Sequence, residues 1–380
     1  MNLLELLANV FGGLTFTWAN ALMLLIGGAL IYLAVAKEYE PVLLLPIGFG
    51  CILANLGMSV YADGSFLQVI YKAGIETELF PLLVFIGVGA MIDFRPLLAQ
   101  PSLALLGAAG QFGIFGTLLL AAALGFPLNE AASIGVIGAI DGPTAIFVTT
   151  KLAPHLLGPI AVAAYSYMSL VPIIQPPIMR ALTTRRERLI RMDYAPRPVS
   201  RVTAIAFPVV VTIAVSLIAP SAAPLIAALM LGNLLREAGV VDRLSKAAQN
   251  EIINIATLFL GLAIGATMTA EKFLYDPATG IQWQTLMILG LGLLAFIVDT
   301  VAGLLFGKLM SFVTGGKVNP LIGACGISAF PMAGRLSAKI ALDEDPDNFI
   351  LMHAMGSNTA GQLGSVIAGG VLLAVVLGMM

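Results

Sequence analysis

The chain alternates between long stretches without a formal charge and short polar interruptions. Uncharged runs cover 6–36, 41–62, 79–92, 96–129, 152–179, 202–235, 252–270, 277–298 and 349–380, with His353 counted as neutral. A bilayer crossing needs about 20 apolar residues, so these runs predict membrane helices, and the longest hold a crossing plus a turn. Pro and Gly interrupt many of them. Membranes tolerate such breaks where the freed backbone is buried or faces a cavity. Residues 1–16 are too short and too amphipathic to cross, which predicts an N-terminal segment, 1–19, lying at the interface.

The pattern recurs. Gly87-Val88-Gly89-Ala90-Met91 resembles Ala263-Ile264-Gly265-Ala266-Thr267 at an offset of 176. The stretch from Ile134 to Ala145 lies over Ile322 to Ala333 at an offset of 188, and Lys151 matches Lys339 at the same offset. The polar insert around Asp276-Pro277-Ala278-Thr279-Gly280 absorbs the change. Matching Gly/Pro-broken segments in two halves point to a site near the midplane of a repeat-built transporter. Here that pair is 131–150 and 319–340. The expected fold is an all-α polytopic membrane protein with about nine to eleven transmembrane segments. They form two repeats, expected to be inverted, in regions 20–180 and 202–380, with broken helices meeting near mid-membrane.

Composition agrees. Of 380 residues, 59% are hydrophobic and 11% charged, with a mean hydropathy of +0.98, which excludes a soluble globular domain and a disordered chain. A net charge of −2 creates no field that would recruit a nucleic acid. Cys51 and Cys325 stand alone in apolar stretches, with neither metal spacing nor a disulfide framework; they read as small buried hydrophobes. The start, Met1-Asn2-Leu3-Leu4-Glu5, has no basic n-region, so no cleaved signal peptide is expected. Seven of the nineteen basic residues (Arg180, Arg185, Arg186, Arg188, Arg191, Arg197 and Arg201) cluster against only Glu187 and Asp193. The positive-inside rule makes loop 181–201 cytoplasmic. Its arginines serve either as an ordinary topology determinant or as a docking surface for a cytoplasmic partner.

Asp141 is the sharpest chemical feature, because its nearest charged neighbours are Glu130 and Lys151. A carboxylate at mid-bilayer costs about 2.5–3.5 kcal/mol on the insertion scale, and nothing adjacent offsets it. Pro143 cannot donate to Ala139, so that carbonyl is expected to be free beside the carboxylate. In the second half, Asn319 and Pro320 open the broken element, Ser328 lies within it, and Pro331 frees the Ile327 carbonyl. One carboxylate with neutral oxygens suits a monovalent cation, whereas a divalent ion recruits more carboxylates. The bland alternatives are an Asp that caps a half-helix and polar side chains that glue helices together.

Further polar positions surround this pair. Tyr165, Ser166 and Tyr167 fall inside the run 152–179, away from its edges, where a buried hydroxyl needs a partner or relays a proton. His353, Ser357, Asn358, Thr359 and Gln362 form a stripe in the last apolar run, with Asn358 and Gln362 on one face. Arg335 and Lys339 share a helix face; they either bind an anion at the cytoplasmic mouth or snorkel and pair with Asp343 or Glu344. Asp299 stays outside the expected site. From the residues alone, a Na⁺-coupled carrier of an organic anion, a Na⁺/H⁺ antiporter and a membrane anchor for a soluble enzyme all remain open, though an anchor would not need Asp141.

The stretches Gly138–Ala145, Ala163–Met179 and Gly356–Gln362 resemble the beta subunits of the sodium-translocating biotin-dependent decarboxylases, which act on oxaloacetate, methylmalonyl-CoA or glutaconyl-CoA. The resemblance runs from about residue 20 to the end. It implies a bacterial or archaeal cytoplasmic-membrane subunit that decarboxylates carboxybiotin and couples this to Na⁺ export with proton consumption. It also implies partners: a biotin carrier protein, a carboxyltransferase alpha subunit, a small gamma or delta membrane subunit, and further beta subunits in a homo-oligomer. Biotin then arrives on another polypeptide, since this chain has no Met-Lys-Met acceptor. By the resemblance, Asp141 matches the sodium-binding aspartate, and Asn319 and Ser328 match the second-half sodium and proton-site residues. Gly323 and Asn358 sit where the family has further site residues. Tyr167 matches the proton-supplying tyrosine with Tyr165 beside it, and Arg335, with Lys339 one turn on, is placed to engage carboxybiotin.

Overall fold

Thr17 opens the first helix, Trp18–Ala36: its hydroxyl accepts from the Asn20 amide while the Asn20 side chain accepts from the Thr17 amide. This reciprocal cap satisfies donors that a helix start otherwise leaves orphaned. The computed structural model of the chain describes residues 17–192, 198–276 and 280–380. Residues 1–16 of the interfacial segment expected over 1–19, Asp193 and Arg197 of the basic loop, and Pro277-Ala278-Thr279 of the insert lie outside the described residues, whereas Trp18 and Ala19 belong to the first helix.

Six helices are long and apolar enough to cross a membrane: Trp18–Ala36, Leu103–Ala123, Arg201–Ile218, Asp242–Gly265, Trp283–Val313 and Leu351–Met379. Two bent pairs, Phe66–Glu76 with Leu79–Met91 and Pro154–Met168 with Leu170–Leu182, raise the number to eight among the described residues. That is below the nine to eleven segments expected, because several uncharged runs are cut into pieces too short to cross. Pro41–Ala54, with 14 residues, reaches about 21 Å, short of a hydrocarbon core of about 30 Å.

Two helix pairs meet backbone to backbone. Pro41–Ala54 packs on Ile253–Gly265, and Leu79–Met91 packs on Ala223–Ala238. Four glycines permit this: a Cβ on Gly50 or Gly265 would run into the facing helix of the first pair, and one on Gly89 or Gly232 into that of the second. The arrangement is reciprocal, since each half of the chain contributes a helix to the other. A π-turn at Lys72–Glu76 recurs at Ala248–Ile252, 176 residues later, the same offset as the glycine motif ahead of it.

The broken elements sit deep in the protein. The first runs Leu128–Gly135, a 3₁₀ turn Val136–Ala139, a gap at Ile140 and Asp141, then Gly142–Leu152. The second runs from a 3₁₀ turn, Pro320–Cys325, through irregular backbone to the helix Met332–Glu344. Trp283–Val313 and Leu351–Met379 each pack against both. These two long helices hold the breaks together.

Candidate functional site

The first break is shaped by backbone conformation. Ile140 sits in the left-handed region at φ +53°, unusual for a β-branched residue, and Asp141 follows in an extended conformation. This turn lets Asp141 cap the helix Gly142–Leu152, with Oδ1 3.4 Å from the Thr144 amide. Pro143 lies in the first turn, where its missing N–H costs nothing. The other oxygen, Oδ2, accepts from the Thr144 hydroxyl at 2.8 Å, Gln362 Nε2 at 2.9 Å and Ser365 Oγ at 2.9 Å.

Asp141 is therefore both a helix cap and the focus of three further donors, at 5% exposure. The helix N-terminus adds a favourable dipole for negative charge. No Lys, Arg or His forms an ion pair with it among the described residues. Neither does any cluster of three or more His, Cys, Asp or Glu form among them. What remains is one carboxylate held by two hydroxyls, a side-chain amide and a helix N-terminus, all neutral.

The second break lies against the first. The Ser328 amide donates to the Ala139 carbonyl at 3.3 Å, and the Ser328 hydroxyl to the Gly361 carbonyl at 3.4 Å. Three side-chain amides clamp the segment. Asn358 Nδ2 donates to the carbonyls of Cys325 and Ile327, Gln111 Nε2 to those of Gly326 and Gly361, and Gln175 Nε2 to that of Ala324. The Ala139 and Ile327 carbonyls, expected to be free, are thus both engaged. Each keeps a second lone pair. The side-chain oxygens of Gln111, Gln175 and Asn358 are buried without a hydrogen bond among the described residues.

A cavity of about 730 Å³ opens beside the breaks, and Asp141, Tyr165, Ser328, Gln362 and Arg335 line it. Tyr165 is fully buried, its ring pressed on Gly142 so closely that no Cβ fits there. Arg335 is exposed and has no ion pair among the described residues. The other sequence-identified residues lie elsewhere. Tyr167 donates to the Leu289 carbonyl on Trp283–Val313. Gly323 abuts the Gly303 backbone of the same helix, with no room for a side chain. Lys339 is exposed, on the face of Met332–Glu344 that carries Arg335.

Asn319 sits apart from Asp141. Its Nδ2 donates to the Arg188 and Ile190 carbonyls at 3.1 and 2.8 Å, and its Oδ1 accepts from the Leu321 amide. It ties the basic loop to the second break. Around it, Arg180 pairs with Asp343, Arg185 and Arg188 with Glu344, and Arg191 with Asp345. The acids offered to Arg335 and Lys339 for pairing are therefore taken, and four of the arginines considered for docking are engaged within the chain. The Arg188 hydrogen bond holds the Glu344 carboxyl below its ordinary range, and Arg191 does the same for Asp345.

Sequence reasoning missed Thr144, Ser365 and Gln111. Ser365 lies three residues past Gln362 and seven past Asn358, on the same helix face, so the polar stripe extends to Ser365. Asp299 is fully buried; one of its oxygens accepts from the Gly113 amide in the first turn of Phe112–Ala123. It joins two helices, away from the cavity.

Residues 19–376 match the family described as the Na⁺-transporting oxaloacetate decarboxylase beta subunit. The chain is 54% identical to the methylmalonyl-CoA decarboxylase beta subunit of Veillonella parvula, over 96% of this chain and 95% of that one. It is 52% identical to the glutaconyl-CoA decarboxylase beta subunit of Acidaminococcus fermentans, over 97% and 96%. To the oxaloacetate decarboxylase beta chain of Klebsiella pneumoniae it is 48% identical, over 95% and 96%.

Proposed function

The chain belongs to the family of Na⁺-transporting oxaloacetate decarboxylase beta subunits and is a membrane subunit of a decarboxylase sodium pump; from that premise we propose how it works. Carboxybiotin, carried on a partner protein, enters the cavity beside Arg335 and is decarboxylated there. The N–C bond breaks, its electron pair stays on the ureido ring, carbon dioxide leaves, and the ring nitrogen takes a proton. Na⁺ binds at Asp141 and is released outward. A carboxylate that holds Na⁺ does not hold a proton, so the two cations alternate at one site.

One observation carries this reading: Asp141, without an internal cation among the described residues, accepts from Gln362 and Ser365 in a cavity that Arg335 also lines. A small alkali ion is the charge such a pocket lacks. Ser328 and Tyr165 share the cavity and are placed to complete the ion site or hand over the proton. Asn358, Gly323 and Tyr167 act one layer out, by shaping the second break and the helices behind it. Asn319 positions the loop. The Arg335 guanidinium pairs with the substrate carboxylate, and Lys339 adds positive charge one turn on.

The complex includes a biotin carrier, a carboxyltransferase alpha subunit, a small gamma or delta subunit and further copies of this chain. It lies in the cytoplasmic membrane with loop 181–201 inside. The test is Na⁺ uptake into inverted membrane vesicles carrying the assembled complex. Uptake driven by the acyl substrate and abolished by avidin is expected; uptake indifferent to avidin selects a plain Na⁺-coupled carrier instead.

A further inference from the structure

The cavity has a polar wall with no part in the scheme above. Asn254 and Thr257, one turn apart on Ile253–Gly265, line the same cavity as Asp141 and Arg335. They belong to a candidate membrane span, Asp242–Gly265, in which a polar side chain toward lipid is costly. Ile255 and Leu258, at 57% and 50% exposure, give that helix its apolar outer face; Asn254 borders this face one turn before Leu258, and Thr257 turns inward. Asn254 is exposed and Thr257 buried, and neither side chain makes a hydrogen bond among the described residues. The π-turn Ala248–Ile252 ends just before them. Such bulges rotate the residues that follow and recur at functional sites.

We propose that Asn254 and Thr257 recognise the cyclic urea of the incoming ligand, an inference that rests on the carboxybiotin reading above. One nitrogen of the ring carries the carboxylate, so the cyclic urea presents one carbonyl oxygen and one N–H, and a second N–H after decarboxylation. Asn254 offers a donor and an acceptor, and Thr257 a hydroxyl. Val84, Val88 and Leu260 beside them supply the apolar contact that a fused hydrocarbon and thioether ring requires. When the N–C bond breaks, negative charge spreads onto the urea oxygen, and donors aimed there favour the transition state over the ground state. Arg335 comes from a different helix, so the ring is held by one wall and its carboxylate by the other.

The experiment uses the assembled complex with carboxylated carrier as substrate and free biotin as product inhibitor. Asn254→Leu and Thr257→Val should each raise the apparent KM for carrier and the inhibition constant for free biotin up to about tenfold, the size of one neutral hydrogen bond, and should also lower kcat, because the bond to the urea oxygen strengthens as charge develops there. Apparent Na⁺ affinity should stay within about twofold, Thr257→Ser should restore the wild-type values, and Ile255→Ala should change nothing. Wild-type carrier and biotin constants in both variants overturn the inference. If these variants fail to assemble, Asn254→Cys gives a second readout, since Cys51 and Cys325 are buried: free biotin should slow its maleimide labelling and pentanoate should not. Equal labelling rates overturn the inference. A wild-type complex that does not decarboxylate carboxylated carrier at all sinks the functional reading itself, a distinguishable failure.

Discussion

Gln362 Nε2 lies 2.9 Å from Asp141 Oδ2, joining residues 221 positions apart in the chain. Ser365 Oγ reaches the same oxygen at the same distance. One helix near the end of the chain thus supplies two donors to a carboxylate set in a broken helix of the first half. The donor set around Asp141 is thereby tied to the position of Leu351–Met379.

Asp141→Asn replaces an acceptor with an amide facing three donors. The carboxylate charge is lost, and charge-assisted bonds of about 1.5–3 kcal/mol go with it. Na⁺-stimulated decarboxylation by the assembled complex should fall to background. Retained stimulation with a normal sodium dependence removes Asp141 from the ion site.

Ser365→Ala takes away one of the donors and leaves the charge. A bond to a charged group is worth about 1.5–3 kcal/mol, roughly ten- to a hundredfold in an equilibrium constant. The apparent Na⁺ affinity should shift within that range while the KM for carrier stays constant, measured by initial rates against each in turn. A shift in carrier KM alone places Ser365 outside the ion site.

Asn319→Ala separates two roles. If Asn319 ties down the basic loop, trypsin should cleave at Arg186 several-fold faster in the variant, with the sodium dependence intact. A changed sodium dependence with unaltered proteolysis makes it part of the ion site instead.

The acid–base latch at the loop predicts a pH dependence. Glu344 and Asp345 are held below their ordinary values by Arg188 and Arg191. Depressed carboxyls contribute stability that is present above their unfolded values, near 4, and lost as pH falls through the folded ones. Amide exchange in 183–192 should therefore stay slow, after correction for intrinsic rates, from neutral pH down to about 4.5 and quicken in stronger acid. Glu344→Gln should abolish part of the latch from neutral pH down to about 4.5 and make no difference in stronger acid, where the wild-type carboxyl is itself neutral.

Gly142→Ala drives a Cβ into the Tyr165 ring. Overpacking costs about 1–3 kcal/mol, so the variant should unfold in detergent several degrees below wild type. An unchanged midpoint with full activity shows that the ring has room to move.

The fold class was legible because hydrocarbon imposes a rule on every residue that enters it: long uncharged runs have one use. The same rule exposed Asp141, whose charge conflicts with its neighbours, and the Gly/Pro breaks that repeat in both halves. Arg335 and Ser328 were legible as well, and both line the cavity with Asp141. Local sequence could not reveal which carbonyls are free, because that depends on the partner. Ala139 is taken by Ser328 from the other half, and Ile327 by Asn358. Nor could it separate Tyr165 from Tyr167, two residues apart on a helix yet facing the cavity and Trp283–Val313 respectively. Asn319 reads as a ligand in the chain, and in three dimensions its side chain bonds to the Arg188 and Ile190 carbonyls and the Leu321 amide. Tertiary structure decided these points because a hydrogen bond is a contest among all nearby donors, and most of those donors come from distant sequence.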